Sequence, residues 1–168
     1  MKKLIVLVAS VFMLQACDDG DITLESFNFD TATIQNCTDN NLVFKINDKE
    51  LLLLSIPESS FLNEETPDGS PRIINVGTTN QIIYRLYSGN VSSATICSTL
   101  PPASPVVEKE WNASGGTIEI ITDALYDVDG ITINGYTHNI KFKNVNFSNP
   151  DNSFSFTEYT FGNYETDL

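Results

Sequence analysis

Short segments in which apolar and polar residues alternate recur along most of this chain, and turn-forming residues separate them. Residues 117–122 and 136–145 alternate in this way, and the Asn- and Pro-containing segment 149–152 is a strong turn before residues 153–161. Alternation with a period of two is typical of strands with one buried face. About nine to eleven such short strands at close spacing predict an all-β, antiparallel domain with little or no helix.

The expected architecture is an antiparallel β-sandwich, either Ig-like or jelly-roll-like. Residues 22–168 are expected to form it as a single domain, because no internal repeat interrupts them and the Pro-rich segment 101–105 is too short for a linker. Within this domain, residues 94–98 are predicted as a short strand, and residues 72–76 and 81–87 as a pair of strands.

The charge of the chain limits the partners that it can have. The sequence of 168 residues has 9 Lys+Arg against 22 Asp+Glu, which gives a net charge of -13. A surface this acidic repels phosphate groups, so no nucleic acid is expected as a partner. The hydrophobic content of 41% is sufficient for a packed core and argues against disorder.

The N-terminus has the parts of a bacterial export signal. Basic residues at 2–3 precede the apolar segment 4–14, which is shorter than the ~20 residues of a permanent membrane span. The sequence Leu14-Gln15-Ala16-Cys17 follows and resembles the lipobox of bacterial lipoproteins. The resemblance implies that residues 1–16 are a cleaved signal peptide and that acyl chains on Cys17 anchor the protein in a lipid bilayer. The alternative is an ordinary signal peptide, with Cys17 as a structural cysteine.

An acidic tether at residues 17–21 follows the signal peptide, with Asp18, Asp19 and Asp21 after the cysteine. It resembles the surface-export signal of small outer-membrane lipoproteins of the Bacteroidota, flavobacteria in particular. This resemblance implies an outer-membrane location on the cell surface. The alternatives are the periplasmic face, retention at the inner membrane as in enteric-type bacteria, and a tether that has no sorting role.

The other two cysteines, Cys37 and Cys97, form an even pair if Cys17 carries lipid. An exported chain meets an oxidising compartment in which disulfides persist, and two cysteines have one connectivity. We therefore expect a Cys37–Cys97 disulfide, with two buried free thiols as the alternative. A metal site is disfavoured because the chain has no CxxC motif and its one His is distant in sequence.

No catalytic residue is assigned from the sequence, and we do not expect an enzyme. His138 is the only His and is predicted to be a polar strand position, since no G-x-S-x-G or H-E-x-x-H motif is present. Glu108, Glu110 and Glu119 are candidates for the carboxylate pair of a glycoside hydrolase only because they lie on predicted strands. A solvent-facing acidic strand surface is the favoured interpretation of these three residues.

The best candidate metal ligands are Asp123, Asp127 and Asp129, which lie close together before Gly130. Carboxylates clustered on a loop are typical ligands of Ca²⁺. The full twelve-residue calcium loop is absent, however, and Asp-Gly is a common hairpin turn. The turn is therefore the favoured interpretation, no cofactor is expected, and calcium is the alternative.

Aromatic residues are dense near the C-terminus and have two interpretations. Aromatic faces stack on sugar rings, but alternating aromatic residues also form a core face. We favour core packing, with a bulge or turn near residues 157–158, where the alternation changes phase. The residues are Phe142, Phe147, Phe154, Phe156, Tyr159, Phe161 and Tyr164.

A modification site is indicated at Thr31. The sequence Asp30-Thr31-Ala32 resembles the short O-glycosylation sequon of the Bacteroidota. This resemblance implies a glycan on the Thr31 hydroxyl, in a loop of an exported chain.

These observations lead to an expected function in the cell envelope. We expect a lipid-anchored, surface-exposed binding or structural module whose partner is a glycan or an envelope protein. One alternative is a carboxylate- or calcium-dependent hydrolase that acts on glycans. The other is a periplasm-facing accessory factor of an outer-membrane complex.

Overall fold

The computed structural model describes residues 27–100 and 102–168. The strands of this part are β1 (Ile34–Asn36), β2 (Leu42–Asn47), β3 (Glu50–Ser55), β4 (Arg72–Asn75), β5 (Gln81–Tyr87), β6 (Val107–Ala113), β7 (Thr117–Tyr126), β8 (Ile133–Ser148) and β9 (Ser153–Asp167). A 3-10 turn (Glu58–Ser60) follows β3, and a short helix, α1 (Ser93–Cys97), follows β5. The predicted signal peptide, the tether with Cys17, and residues 22–26 lie outside the described residues.

The strands form one antiparallel sheet in the order β1-β2-β3-β5-β6-β8-β7-β4, with β9 on the other side of β8. Within the described residues, β6 joins β8 through the pairs Asn112↔Ser148 and Ala113↔Phe147. The sheet curls so that β1 approaches β9, where a Cβ atom on Gly162 would lie 3.1 Å from Ile34 Cδ1. The prediction of an antiparallel all-β fold is therefore confirmed. The pairing of β6 with β8 joins the strands β1, β2, β3, β5 and β6 to the strands β4, β7, β8 and β9 in one sheet.

The corner between β6, β7 and β8 requires a glycine at position 116. The turn between β6 and β7 passes directly over β8, where a Cβ atom on Gly116 would lie 2.6 Å from the carbonyl oxygens of Lys143 and Asn144. Gly116 also has a φ of +96°, which disfavours other residues. This close approach lets β6 and β7 pair with successive segments of the same long strand.

The hairpin of β8 and β9 changes its inward-facing phase near its middle. Phe142 and Phe147 are both buried although their positions differ by five, an odd number, so strict alternation would place them on opposite faces. Between them, Asn144 has a φ of 52°, which breaks the regular pleat of β8. On β9 the partly buried aromatic positions change phase across residues 157–158, as the sequence predicted.

Two clusters of buried side chains stabilise the fold. The larger contains Phe142, Phe147 and Phe161, and the other four C-terminal aromatic residues pack against it. The prediction of core packing for these seven residues is therefore confirmed. The smaller cluster surrounds Cys37, and Cys97 packs against it. The predicted disulfide between these two cysteines is present, with a Cα–Cα distance of 5.4 Å.

Two local predictions are wrong. Residues 94–98 do not form a strand, because most of them belong to α1. In this helix the adjacent residues Ile96 and Cys97 both pack on the smaller cluster, which one face of a strand does not allow. Strand β4 does not pair with β5 but with β7, because β5 lies between β3 and β6.

Candidate functional site

His138 lies on β8 at the centre of a chain of hydrogen-bonded polar side chains, which we call the polar relay and in which His138 and Thr122 are buried. Its Nδ1 is 2.8 Å from Thr122 Oγ1 on β7, and its Nε2 is 3.0 Å from Thr166 Oγ1 on β9. At one end of the relay, Arg72 on β4 donates a hydrogen bond to Thr122 Oγ1. At the other end, Thr166 donates to Asn63 Oδ1 at 2.8 Å. The relay therefore links four strands to the loop between β3 and β4.

The directions of these hydrogen bonds fit a neutral imidazole that carries its proton on Nε2. Arg72 can only donate, so the Thr122 hydroxyl accepts from it and keeps its own proton for donation to a neutral Nδ1. The Thr166 hydroxyl donates to Asn63, so it accepts from the Nε2–H of His138. Burial lowers the pKa of His138 to about 4, and the positive charge of Arg72 contributes to this shift. Both ring nitrogens are thus occupied within the fold.

The relay also holds the loop that contains Phe61. The Arg72 guanidinium donates to the carbonyl oxygens of Leu62 and Glu64, each at 3.2 Å. The backbone N–H of Thr66 donates to a carbonyl oxygen of β7 at 3.0 Å. The Phe61 ring lies 5.4 Å from the imidazole ring, between their centroids. These contacts hold the Phe61 ring in place beside the sheet.

Two of the three glutamates proposed as hydrolase candidates take part in ion pairs. Glu110 on β6 accepts from Arg85 Nε at 2.6 Å and from Asn112 at 3.1 Å. Burial raises the pKa of Glu110, but these hydrogen bonds outweigh it, so the pKa lies below its usual value. Glu119 on β7 lies 3.5 Å from Lys143 Nζ. Glu108 is exposed on β6.

Of the aspartates of the calcium hypothesis, Asp127 and Asp129 lie in the turn between β7 and β8, whereas Asp123 lies on β7 opposite Thr137. The Asp129 carboxylate accepts from the backbone N–H groups of Ile131 and Thr132 and from the Thr132 hydroxyl. The hydrogen bonds from Thr132, followed by the one from Ile131, lower the pKa of Asp129 to about 2. Within the described residues, Asp123, Asp127 and Asp129 do not form a group of three side chains that could hold a metal ion. The favoured interpretation, a turn, describes this segment.

A polar cleft of about 260 Å³ opens between the β1–β2 connection, the 3-10 turn and β9. Its side chains include amides, two hydroxyl groups, a carboxylate and two aromatic rings. The lining residues that carry these groups include Asn36, Thr38, Asn41, Glu58, Phe61 and Tyr164. The cleft therefore offers hydrogen-bonding groups and aromatic surface together.

A second, apolar cleft of about 410 Å³ lies beside α1. Leu53, Ile96 and Val107 line it, together with the Arg85 side chain that pairs with Glu110. Because α1 ends at Cys97, the disulfide to Cys37 fixes the wall of this cleft.

The predicted modification site lies on the surface. Thr31 is exposed in a turn that the hydrogen bond from Ala32 N to Phe29 O closes at 3.1 Å. The preceding residue, Asp30, is exposed as well.

The polar relay and the polar cleft were not predicted from the sequence. The burial of His138 had a signal, because it lies in phase with the buried residues Ile140 and Phe142 on the same strand. Thr122 is likewise in phase with Ile118 and Ile120. The cleft had no local signal, since its residues come from three segments that are distant in sequence.

Comparisons with protein-family models, with curated proteins and with solved structures found no match to this chain. Within the part of the chain that the structure describes, no helix has the length and apolar character needed to cross a bilayer.

Proposed function

We propose that this chain is a lipid-anchored protein of the outer membrane that acts on the cell surface as a non-enzymatic binding or structural module. The observation that carries the proposal is the pairing of the cysteines. The chain has 3 Cys, and the bond between Cys37 and Cys97 uses two of them. The third, Cys17, occupies the lipobox position, so its thiol is available for a thioether bond to a diacylglyceryl group.

The disulfide also supports export of the chain. Disulfides persist in oxidising compartments outside the cytoplasm and are rare within it. An acylated Cys17 would then hold the domain at a membrane, since two or more acyl chains give stable anchoring. The acidic residues at 18–21 support the outer face through their resemblance to the export signal.

A binding role is supported by the contacts of the side chains that were considered for catalysis. Both ring nitrogens of His138 are occupied in the polar relay, and Glu110 and Glu119 form ion pairs with basic residues. These hydrogen bonds and ion pairs connect neighbouring strands of the sheet. The two open clefts offer concave surfaces at which a small ligand or one part of a larger ligand can bind.

Surface display is tested by adding an epitope tag after Leu168, a residue that is 75% exposed. We expect an antibody to label intact cells that carry the tagged chain. A Cys17→Ser variant is expected to lose this labelling, because it cannot receive the lipid. The same tag on a soluble periplasmic protein is the control for cell integrity.

Two results would contradict the proposal. Labelling that requires cell lysis would contradict surface display. Unchanged surface labelling of the Cys17→Ser variant would contradict lipid anchoring.

A further inference from the structure

We propose that the polar cleft binds one neutral or amino-bearing sugar ring of a glycan. This inference rests on the proposed function, because it names the ligand class of the binding module. The volume of about 260 Å³ lies just below the ~300–1,000 Å³ of pockets for drug-sized ligands. A single ring therefore fits the cleft, with the rest of the glycan outside it.

The hydrogen-bonding groups of the cleft suit a ligand with many hydroxyl groups. Asn36, Thr38 and Asn41 are exposed, and their side chains make no hydrogen bond to another described residue. Each amide offers both donors and an acceptor, and the Thr38 hydroxyl offers both roles. A sugar ring carries hydroxyl groups that also donate and accept, so these side chains can pair with it without leaving the fold.

The aromatic residues of the cleft supply the apolar surface that a sugar ring needs. Phe61 and Tyr164 are half-buried, with ring centroids 4.9 Å apart and an angle of 63° between the ring planes. The C–H groups of a sugar ring form an apolar face that packs against aromatic rings. The same cleft therefore contacts both the polar edge and the apolar face of such a ring.

The charge of the cleft selects against acidic ligands. Among the described residues that line it, Glu58 is the one charged side chain. Burial raises the pKa of Tyr164, and the nearby Glu58 carboxylate raises it further, so the phenol stays protonated and can donate. A carboxylate or phosphate on the ligand would meet Glu58 without a basic residue to offset it. An amino group would instead be attracted by Glu58.

The cleft is held in shape before a ligand arrives. On one side, the disulfide fixes Cys37, whose N–H also donates to Leu42 O at 3.1 Å. On the other side, the His138 ring of the polar relay lies 5.4 Å from the Phe61 ring and 6.2 Å from the Tyr164 ring. Preorganised groups lose less conformational entropy on binding, which favours specific recognition of a small ring.

The test uses the full chain, purified in detergent with its lipid, on an array of neutral, amino-bearing and acidic saccharides. We expect neutral or amino-bearing saccharides to bind. The best of them is then titrated by calorimetry against an Asn36→Ala/Asn41→Ala variant. We expect Kd to rise at least about tenfold, because two hydrogen bonds to the ligand are lost.

Asn134→Ala is the matched control, because Asn134 is also an exposed Asn but lies outside the polar cleft. It should leave Kd unchanged, and all variants should keep the wild-type melting temperature. The inference is overturned if no saccharide binds, if only acidic saccharides bind, or if the double variant binds as tightly as the wild type. None of these results affects the antibody labelling of intact cells, so the two proposals fail separately.

Discussion

Replacing both Cys37 and Cys97 with Ala is expected to lower the free energy of unfolding by about 4 kcal/mol. The bond joins residues that are 60 positions apart, so it closes a long loop in the unfolded chain. Loss of the bond raises the conformational entropy of the unfolded state, and the effect grows with the logarithm of loop length. Loss of the bond also releases α1, which lines the apolar cleft, from the end of β1, which lines the polar cleft.

Thermal unfolding measures this effect. For a chain of this size, a loss of about 4 kcal/mol corresponds to a decrease in Tm of about 10 °C. The wild-type protein in the presence of a reductant should melt at the same temperature as the double variant. An equal Tm for the oxidised wild type and the variant would show that the bond contributes nothing to stability.

Acid is expected to destabilise the fold through His138. The pKa of this residue is about 4 in the folded protein, against 6.5 for the unperturbed side chain. Between these values the unfolded state binds a proton that the folded state excludes. The contribution of neutral His138 is therefore complete above pH 6.5 and is lost as the pH falls towards 4. A shift of this size corresponds to about 3 kcal/mol.

Urea denaturation at a series of pH values between 7.5 and 4 measures this loss against a His138→Gln variant. Gln can donate and accept hydrogen bonds but does not titrate in this range. The carboxylates titrate in both proteins, so their effect cancels in the difference. We expect the free energy of unfolding of the wild type to fall more steeply with acid than that of the variant. Parallel curves would contradict the assignment of a neutral, buried His138.

The sequence predicted the strands well where alternation and turn residues agree. The turn at residues 149–152 and the strands on both sides of it are present, and β9 continues beyond its predicted end. These features are local, because a hairpin forms between neighbouring segments. The pairing of β4 with β7 is not local, and no pattern in residues 72–76 identified its partner.

The candidate site was less predictable, for a physical reason. A strand pattern indicates which side chains face inward, so the phase of His138 with Phe142 was a signal of its burial, although we predicted only a polar strand position. The pattern does not indicate which of the inward-facing polar side chains form hydrogen bonds with one another. Arg72, Thr122 and Thr166 meet around His138 only because the sheet places β4, β7, β8 and β9 side by side.

The most direct test of lipid anchoring is the mass of the N-terminal tryptic peptide of the protein isolated from membranes. After reduction, we expect a peptide that begins at Cys17 and ends at Lys45, with a diacylglyceryl group and an acyl chain on Cys17, and a glycan on Thr31 would add to this mass. A peptide that begins at any other residue, or one that begins at an unmodified Cys17, would contradict lipid anchoring.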